Sequence, residues 1–215
     1  MLEQFDWLAT VRTSPIMLAL VVCAVLTVGY ALERLIYFAV RGGSADEALS
    51  LASSSLRAGN EEEALRVLNK CSHPFGSVAL VMLSVPGAPT EAVEEKLRIG
   101  LSRQRLQLER HLGLIGTLGR TTPLIGLLGT VWGTMRALHE MSKPGLGGSS
   151  LLASGVAEAL LTTAAGLLIA VPALFLFNSY TRHVGNQLTV AENHARMLRL
   201  EAEAARGARS SERAA

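Results

Sequence analysis

Aromatic residues are scarce in this chain of 215 residues. Phe, Trp and Tyr together make up 5% of it, yet 49% of the chain is hydrophobic and 20 residues are glycine. A soluble domain with so few aromatic residues rarely stays this apolar. We therefore expect a substantial part of the chain to lie in a membrane.

Sequence motifs for enzymes and metal sites are also missing. The two cysteines, Cys23 and Cys71, lie too far apart for a zinc site or a redox pair and are expected to be structural thiols. The five histidines show no metal-ligand spacing such as H-E-x-x-H. The chain has no G-x-x-x-x-G-K-[ST] phosphate loop and no G-x-S-x-G elbow. We expect a protein that is not an enzyme, holds no cofactor or metal and is not driven by ATP.

Two long segments are apolar enough to cross a membrane. Residues 15–32 carry no charge, and between residues 151 and 181 the only ionisable side chains are Glu158 and Tyr180. Each approaches or exceeds the roughly 20 residues that span the hydrocarbon core. Acidic as well as basic residues precede the first segment and no A-x-A site closes it, so we expect it to remain as a membrane helix rather than a removable signal.

A third segment is less clear, because its uncharged stretch, residues 121–135, begins only after Arg120. On its own it could be a buried core helix, but its place between two strong spans favours a membrane helix. We predict an all-α protein with three membrane helices, at residues 15–38, 112–140 and 151–181.

Basic residues set the predicted orientation. Nine lie between the first and second spans and six follow the third, whereas one precedes the first span and two, Arg136 and Lys143, lie at the end of the second span or just after it. Because cytoplasmic loops are enriched in Lys and Arg, residues 39–111 and 182–215 are predicted to be cytoplasmic. Residues 1–14 and the hairpin at 141–150 are then periplasmic, in a multi-pass protein of the bacterial inner membrane.

The predicted cytoplasmic part is helical. Residues 44–58 form one helix, and Asn60 starts the next because an amide cap is followed by three glutamates. A third helix opens at Thr90, supported by pairs between Glu94 and Arg98 and between Arg105 and Glu109. No helix breaker stands between residues 91 and 113, so this helix is predicted to run straight into the second span as a long cytoplasmic rod.

The C-terminal segment carries a regular apolar face. Six residues recur at about 3.5-residue spacing, which is typical of a packed helix: Val184, Leu188, Ala191, Ala195, Leu198 and Ala202. From Gly207 onward we predict a disordered tail.

Small residues follow one face of the second and of the third span. Such stripes let membrane helices approach closely, and they also suit the lining of a narrow pore. The predicted packing residues are Gly126, Gly129, Gly133, Ala159, Gly166 and Ala170. Thr163 lies on the same face of the third span and adds a hydroxyl.

Glu158 is the most unusual residue in the membrane segments. A carboxylate costs at least about 2.5 kcal/mol in a membrane helix and usually marks an ion path or a specific partner. The alternative is a structural acid near the outer interface, with Thr162 or Thr130 as hydrogen-bond partners. Glu158 and Thr163 are about 140° apart on an ideal helix, so the sequence leaves open which way Glu158 faces.

Three other residues stand out in the second and third spans. Arg120 is expected to extend toward the cytoplasmic interface rather than to guide anions. Pro123 and Pro172 lie inside the spans and are expected to bend them, which requires a packed bundle that satisfies the freed carbonyls.

Two blocks of sequence resemble a known family. Residues 122–133 (TPLIGLLGTVWG) and 155–172 (GVAEALLTTAAGLLIAVP), the latter followed by Asn178, are similar to the second-span and third-span signatures of ExbB and TolQ. They occur in the family's order and spacing. The chain is therefore identified as a member of the MotA/TolQ/ExbB proton-channel family, on its three-span ExbB/TolQ-like branch.

The resemblance implies a homopentamer with a central pore lined by the second and third spans. That pore would enclose a single-span partner like ExbD or TolR, whose membrane aspartate carries the proton. The matching polar residues of this chain are Thr130, Glu158 and Thr163, which are the predicted ion-path residues. Arg120 departs from the small or apolar residue expected at its position.

The function implied is that of a stator. Such a proton-channel subunit converts proton motive force into mechanical work on a TonB- or TolA-like partner that spans the periplasm, energising outer-membrane transport or envelope maintenance. The alternatives are the same motor powering gliding or surface motility through another force-transducing protein, a passive channel, or a scaffold without flux. The sequence does not decide whether the transported ion is a proton or sodium. Membrane lipid is expected as a further partner, and nucleic acid is not.

Overall fold

A computed structural model describes residues 14–40, 43–84, 87–142 and 148–214, with side chains in the last range described for 152–208. Throughout these ranges every regular element is an α-helix. In chain order the helices are α1 (Pro15–Val40), α2 (Ala45–Arg57), α3 (Glu61–Lys70), α4 (Pro74–Leu83), α5 (Thr90–Leu108), α6 (Leu112–Met141) and α7 (Gly148–Ala214).

Three of these helices, α1, α6 and α7, are long and apolar enough to cross a membrane. The prediction of an all-α protein with three membrane helices is therefore confirmed. The predicted periplasmic N-terminus and the tip of the predicted hairpin, at residues 1–13 and 143–147, lie outside the described residues. How much of each helix lies in the membrane, and the pentamer, stay predictions.

The chain divides into two compact units. The membrane unit comprises the residues up to Arg34 together with His111–Ser179, and the bundle unit comprises Leu35–Arg110 together with the residues from Tyr180 onward. Helices α1 and α7 each contribute residues to both units.

The core of the bundle unit is built from small and branched apolar side chains. Phe75, Val78 and Ala79 of α4 are fully buried at its centre. Residues from α2, α3, α5 and α7 complete the cluster around them. All six residues of the predicted apolar face in the C-terminal segment are buried, which confirms that prediction.

Local capping explains where α3 and α4 begin. The Asn60 side chain accepts a hydrogen bond of 3.2 Å from the backbone N–H of Glu63, as predicted for a helix start. Helix α4, which the sequence analysis did not identify, starts with Pro74 in its first turn, where the missing N–H costs nothing. A methyl group added at Gly76 would lie 2.8 Å from Cys71 Cβ, so this turn closes only around glycine.

The predicted continuous helix from residue 91 into the second span is wrong. Helix α5 ends at Leu108 and α6 begins at Leu112. Between them His111 has φ of 65°, a left-handed conformation that ends a right-handed helix. The His111 Nδ1 lies 3.1 Å from a carboxylate oxygen of Glu33, and its ring centroid lies 5.5 Å from that of Tyr30. These contacts to α1 stabilise a break that no local sequence signal predicts.

The ion pairs of the bundle unit also differ in part from the predicted ones. Glu94 does not pair with Arg98; it accepts from Arg196 of α7 at 2.8 Å and lies 3.6 Å from Arg199. The predicted pair between Arg105 and Glu109 is present at 3.9 Å. Helix α7 supplies the nearer cations for Glu94 because its buried face packs against the same core. It continues through residues 207–214, where the sequence analysis predicts a disordered tail.

Candidate functional site

Glycines of α6 let its backbone approach that of α7 closely. A methyl group added at Gly126 would lie 2.9 Å from the carbonyl oxygen of Thr162 and 3.1 Å from the Cα of Thr163. One added at Gly166 would lie 3.2 Å from the Cα of Gly126 and 3.0 Å from the carbonyl oxygen of Thr122. These neighbouring atoms are backbone and cannot move aside, so both positions require glycine.

The same close contact extends toward the end of α6. A methyl group at Gly133 would lie 2.9 Å from Ala159 Cβ, and one at Gly129 would lie 2.7 Å from Thr162 Cβ. The structure therefore brings together five of the six predicted packing residues. The sixth, Ala170, is buried on α7 at 2% exposure. We call this contact between α6 and α7 the glycine seam.

Sequence reasoning missed three further glycines at this contact. A methyl group at Gly116 would lie 2.8 Å from the Phe177 ring, and one at Gly119 would lie 3.0 Å from Leu174. Gly155 of α7 packs in the same way on Ala137, with 2.5 Å between the added carbon and Ala137 Cβ. The sequence signal that could have extended the predicted contact was the spacing of the glycines at 119, 126 and 133, because residues seven positions apart lie on one face of a helix.

Threonine hydroxyls place hydrogen bonds across the glycine seam. The Thr163 hydroxyl donates to the carbonyl oxygen of Gly126 at 3.0 Å. The Thr162 hydroxyl, at a residue only 3% exposed, lies 2.7 Å from the carbonyl oxygen of Ala159 and 3.3 Å from that of Gly126. Thr130 is half-buried and donates within its own helix, to the carbonyl oxygen of Leu127 at 2.7 Å.

Glu158 lies outside the seam, in a neighbouring cleft. It is half-buried and borders a cleft of about 130 Å³ between α6, α7 and the first residues of α1. Arg136 and Glu140 border the same cleft and pair with each other at 3.2 Å. The question that the sequence left open is thus answered for the single chain: Glu158 faces this cleft, while Thr163 binds in the seam.

The hydroxyls proposed as partners of Glu158 are directed elsewhere. Both Thr130 and Thr162 donate to backbone carbonyls rather than to its carboxylate. Thr162 nevertheless borders the cleft, so the carboxylate and the seam are neighbours. The arrangement places a carboxylate in a cleft beside threonine hydroxyls that donate to backbone carbonyls of α6 and α7.

Arg120 is exposed, and its guanidinium carbon lies 5.4 Å from the centroid of the Phe177 ring. A cation over an aromatic face is favourable, and more so where water is scarce. Pro123 and Pro172 lie inside α6 and α7, which continue past them.

No group of three or more His, Cys, Asp or Glu side chains able to hold a metal ion occurs in the described part of the chain. Cys23 and Cys71 are both free thiols.

Comparison with known proteins identifies the family. Residues 57–193, more than half of the chain, match the MotA/TolQ/ExbB proton channel family. The match includes all of α6 and the part of α7 that forms the seam.

Individual relatives agree with this match. The chain is 32% identical over 141 residues to the biopolymer transport protein ExbB of Xanthomonas campestris, covering 57% of this chain and 56% of that one. It is 34% identical over 117 residues to the Tol-Pal system protein TolQ of Pseudomonas aeruginosa, covering 53% and 51%. It is 34% identical over 149 residues to the ExbB of Pseudomonas putida, covering 65% and 45%. The chain spans about half the length of the curated relatives it matches.

With three helices able to cross a membrane and a family match over both helices of the glycine seam, the chain belongs to the MotA/TolQ/ExbB proton channel family.

Proposed function

We propose that this chain is the stator subunit of an inner-membrane complex that converts proton motive force into mechanical work on a partner spanning the periplasm. The observation that carries the proposal is the position of Glu158, a carboxylate within a membrane helix that borders a cleft beside the seam. The match to a family described as proton channels supports a role for that carboxylate in ion passage.

In this proposal five copies surround a single-span partner of the ExbD or TolR kind. The partner's membrane aspartate carries the proton past Thr130 and Thr163, and Glu158 lies on the path by which protons reach it. One charge crossing 100 mV releases about 2.3 kcal/mol, enough to bias a mechanical step of the partner within the pore. The process served is set by the partner's periplasmic part: outer-membrane transport, envelope maintenance or surface motility.

The first test is the composition of the complex. The tagged chain, extracted from its native membrane in mild detergents, is analysed by native mass spectrometry. We expect five copies with single-span partners that carry a membrane aspartate. An oligomer that stays intact without any partner in several mild detergents would exclude the stator and favour a channel or a scaffold.

The second test separates a motor from a scaffold. The variants Glu158→Gln, Thr130→Ala and Thr163→Ala are expected to assemble with the partner but to abolish proton-driven work, with Thr163→Ser restoring the hydroxyl and the function. Thr121→Ala is the matched control, because Thr121 is exposed on α6 and its hydroxyl donates within its own helix, to the carbonyl of Thr117. Assembled variants that keep full function would show that the chain is a scaffold.

A further inference from the structure

A groove of about 550 Å³ runs between α5 and α7 within the bundle unit. Three guanidinium groups line it, those of Arg98, Arg105 and Arg196, against a single carboxylate, that of Glu192. Its walls therefore carry two positive charges in excess. A cleft lined mainly by charges of one sign concentrates their field, so this groove attracts an anion.

Two of these guanidinium groups are available to a ligand. Arg196 is already paired with two glutamates, at 2.8 and 3.0 Å. Arg105 lies 3.9 Å from Glu109, and since both side chains are exposed, this pair contributes little. Arg98 is exposed and forms no ion pair with any residue that the structure describes. The positive charges of Arg98 and Arg105 are thus left for a ligand.

A hydroxyl lies between these two arginines. Arg98, Ser102 and Arg105 follow one another at spacings of four and three residues, so they share one face of α5. Ser102 is exposed, and its hydroxyl has no hydrogen-bond partner in the described part of the chain. Guanidinium groups bind phosphate oxygens through paired N–H donors, and a hydroxyl adds a further donor. Beside them Leu101 and Leu188 line the groove and offer apolar surface to a ligand.

The place of the groove in the chain favours a lipid over a soluble anion. Helix α5 ends at Leu108 and the membrane helix α6 begins at Leu112, while α7 enters the bundle unit as a continuation of the third membrane helix. Residues 96–110 carry five Lys and Arg side chains and one carboxylate. Basic clusters that adjoin a membrane helix in this way bind the headgroups of anionic lipids.

We propose that this groove binds the phosphate of an anionic phospholipid: Arg98 and Arg105 hold the phosphate from two sides and Ser102 donates to it. The glycerol part of the lipid lies against Leu101 and Leu188. The bound lipid joins α5 to α7 at the end of the bundle unit that is nearest in the chain to the membrane helices. This inference goes beyond the proposed function and does not depend on it, because neither an ion path nor a partner chain enters the argument.

The test is native mass spectrometry of the full chain in a mild detergent, titrated with phosphatidylglycerol or with phosphatidylcholine of the same acyl chains. The affinity of the first lipid bound is measured for each. We expect phosphatidylglycerol to bind at least about fivefold more tightly, because it alone carries a net negative charge. Arg98→Gln and Arg105→Gln should each weaken the binding of phosphatidylglycerol by about fivefold and leave that of phosphatidylcholine unchanged.

Arg103→Gln is the matched control, since Arg103 is an exposed cation of the same helix that does not line the groove. It should bind phosphatidylglycerol as the unaltered chain does. Glycerol phosphate, which is the soluble part of the headgroup, should not displace the lipid when both are present at the same concentration. Melting temperatures show that the variants are folded, and should one groove variant unfold, the other decides.

Equal affinity for the two lipids would overturn this inference. So would an Arg103→Gln variant that loses as much affinity as the groove variants, because the effect would then come from the basic character of α5 as a whole. Displacement by glycerol phosphate would assign the groove to a soluble phosphate instead of a lipid. None of these results depends on a partner chain or on proton-driven work, so the lipid site and the stator can fail separately.

Discussion

The carbonyl oxygen of Gly126 has two threonine hydroxyls of the neighbouring helix within hydrogen-bond distance. Thr163 lies at 3.0 Å and Thr162 at 3.3 Å. In hydrocarbon no water satisfies polar groups, so hydroxyls on packed helices bond to backbone. Hydrogen bonds between membrane helices contribute on average about 0.6 kcal/mol, so the seam depends as much on close backbone packing as on these bonds.

The seam predicts that Gly129→Ala destabilises the chain. The new methyl group would meet the Thr162 side chain, which is buried and cannot turn away. Overpacking of this kind costs about 1–3 kcal/mol, measured as the loss of unfolding free energy in detergent. Gly113→Ala on the same helix is the matched control, since an added methyl group meets nothing within 4 Å. Equal stability of the two variants would contradict the close packing described at Gly129.

Glu201 predicts a dependence of stability on pH in the bundle unit. The Arg57 guanidinium donates to its carboxylate, with one bond of 2.7 Å, and lowers the pKa of Glu201 below 4.5. A depressed carboxyl pKa stabilises the folded state above pH 4.5, and this stabilisation is lost as the pH falls through the folded pKa. Glu201→Gln should therefore lower the melting temperature slightly at pH 7 and leave it unchanged well below the folded pKa.

Glu95→Gln is the control for that pair, because Glu95 is exposed on α5. Its melting temperature should match that of the unaltered chain at both pH values. A pH-independent effect of Glu201→Gln would mean that the side chain acts through packing rather than through its charge.

At the scale of the element, the break between α5 and α6 is the feature that depends most on contacts with another helix. A non-glycine residue in the left-handed region costs roughly 1–2 kcal/mol, and the contacts of His111 with Glu33 and Tyr30 offset that cost. Helix α1 thereby determines where α6 begins, although the two are far apart in the chain.

The break predicts an order of stability among variants at this position. Both His111→Ala and His111→Gly lose the contacts with α1, but only glycine adopts a φ of 65° without strain. His111→Gly should therefore be the more stable by about 1 kcal/mol in thermal unfolding. An alanine variant as stable as the glycine variant would indicate that α5 and α6 join into one helix when the histidine is absent.

For the whole molecule, the distribution of basic residues predicts which parts lie on each side of the membrane. The test uses a chain with Cys23→Ser and Cys71→Ser, in cells whose outer membrane is permeabilised and whose inner membrane is intact. A cysteine placed at Ser142 should then be labelled by a membrane-impermeant maleimide. A cysteine at Ser77 should be labelled only after lysis. Both serines are exposed, so accessibility within the fold does not limit the reaction. The reverse labelling pattern would invert the proposed orientation and place the bundle unit in the periplasm.

Some features of this protein follow from the sequence because they depend on neighbours along the chain. An apolar segment spans a membrane because of its own length and composition, which is why three such helices could be predicted. The cap at Asn60 acts on a backbone N–H three residues away, so it too is local. The apolar face from Val184 to Ala202 has the period of the helix itself, and its burial followed from that period.

Other features were decided only by the tertiary structure, because the interacting groups are distant in the chain. The helix break at His111 is stabilised by contact with the carboxylate of Glu33, 78 positions away. Glu94 pairs with Arg196, 102 positions away, rather than with a cation on its own helix. The facing of Glu158 depends on how α6 lies against α7. The lowered pKa of His73 depends on burial among helices that are distant from it in the chain. Periodicity predicts which face of a helix is buried, but the partner of each polar group is set by the packing of the faces against one another.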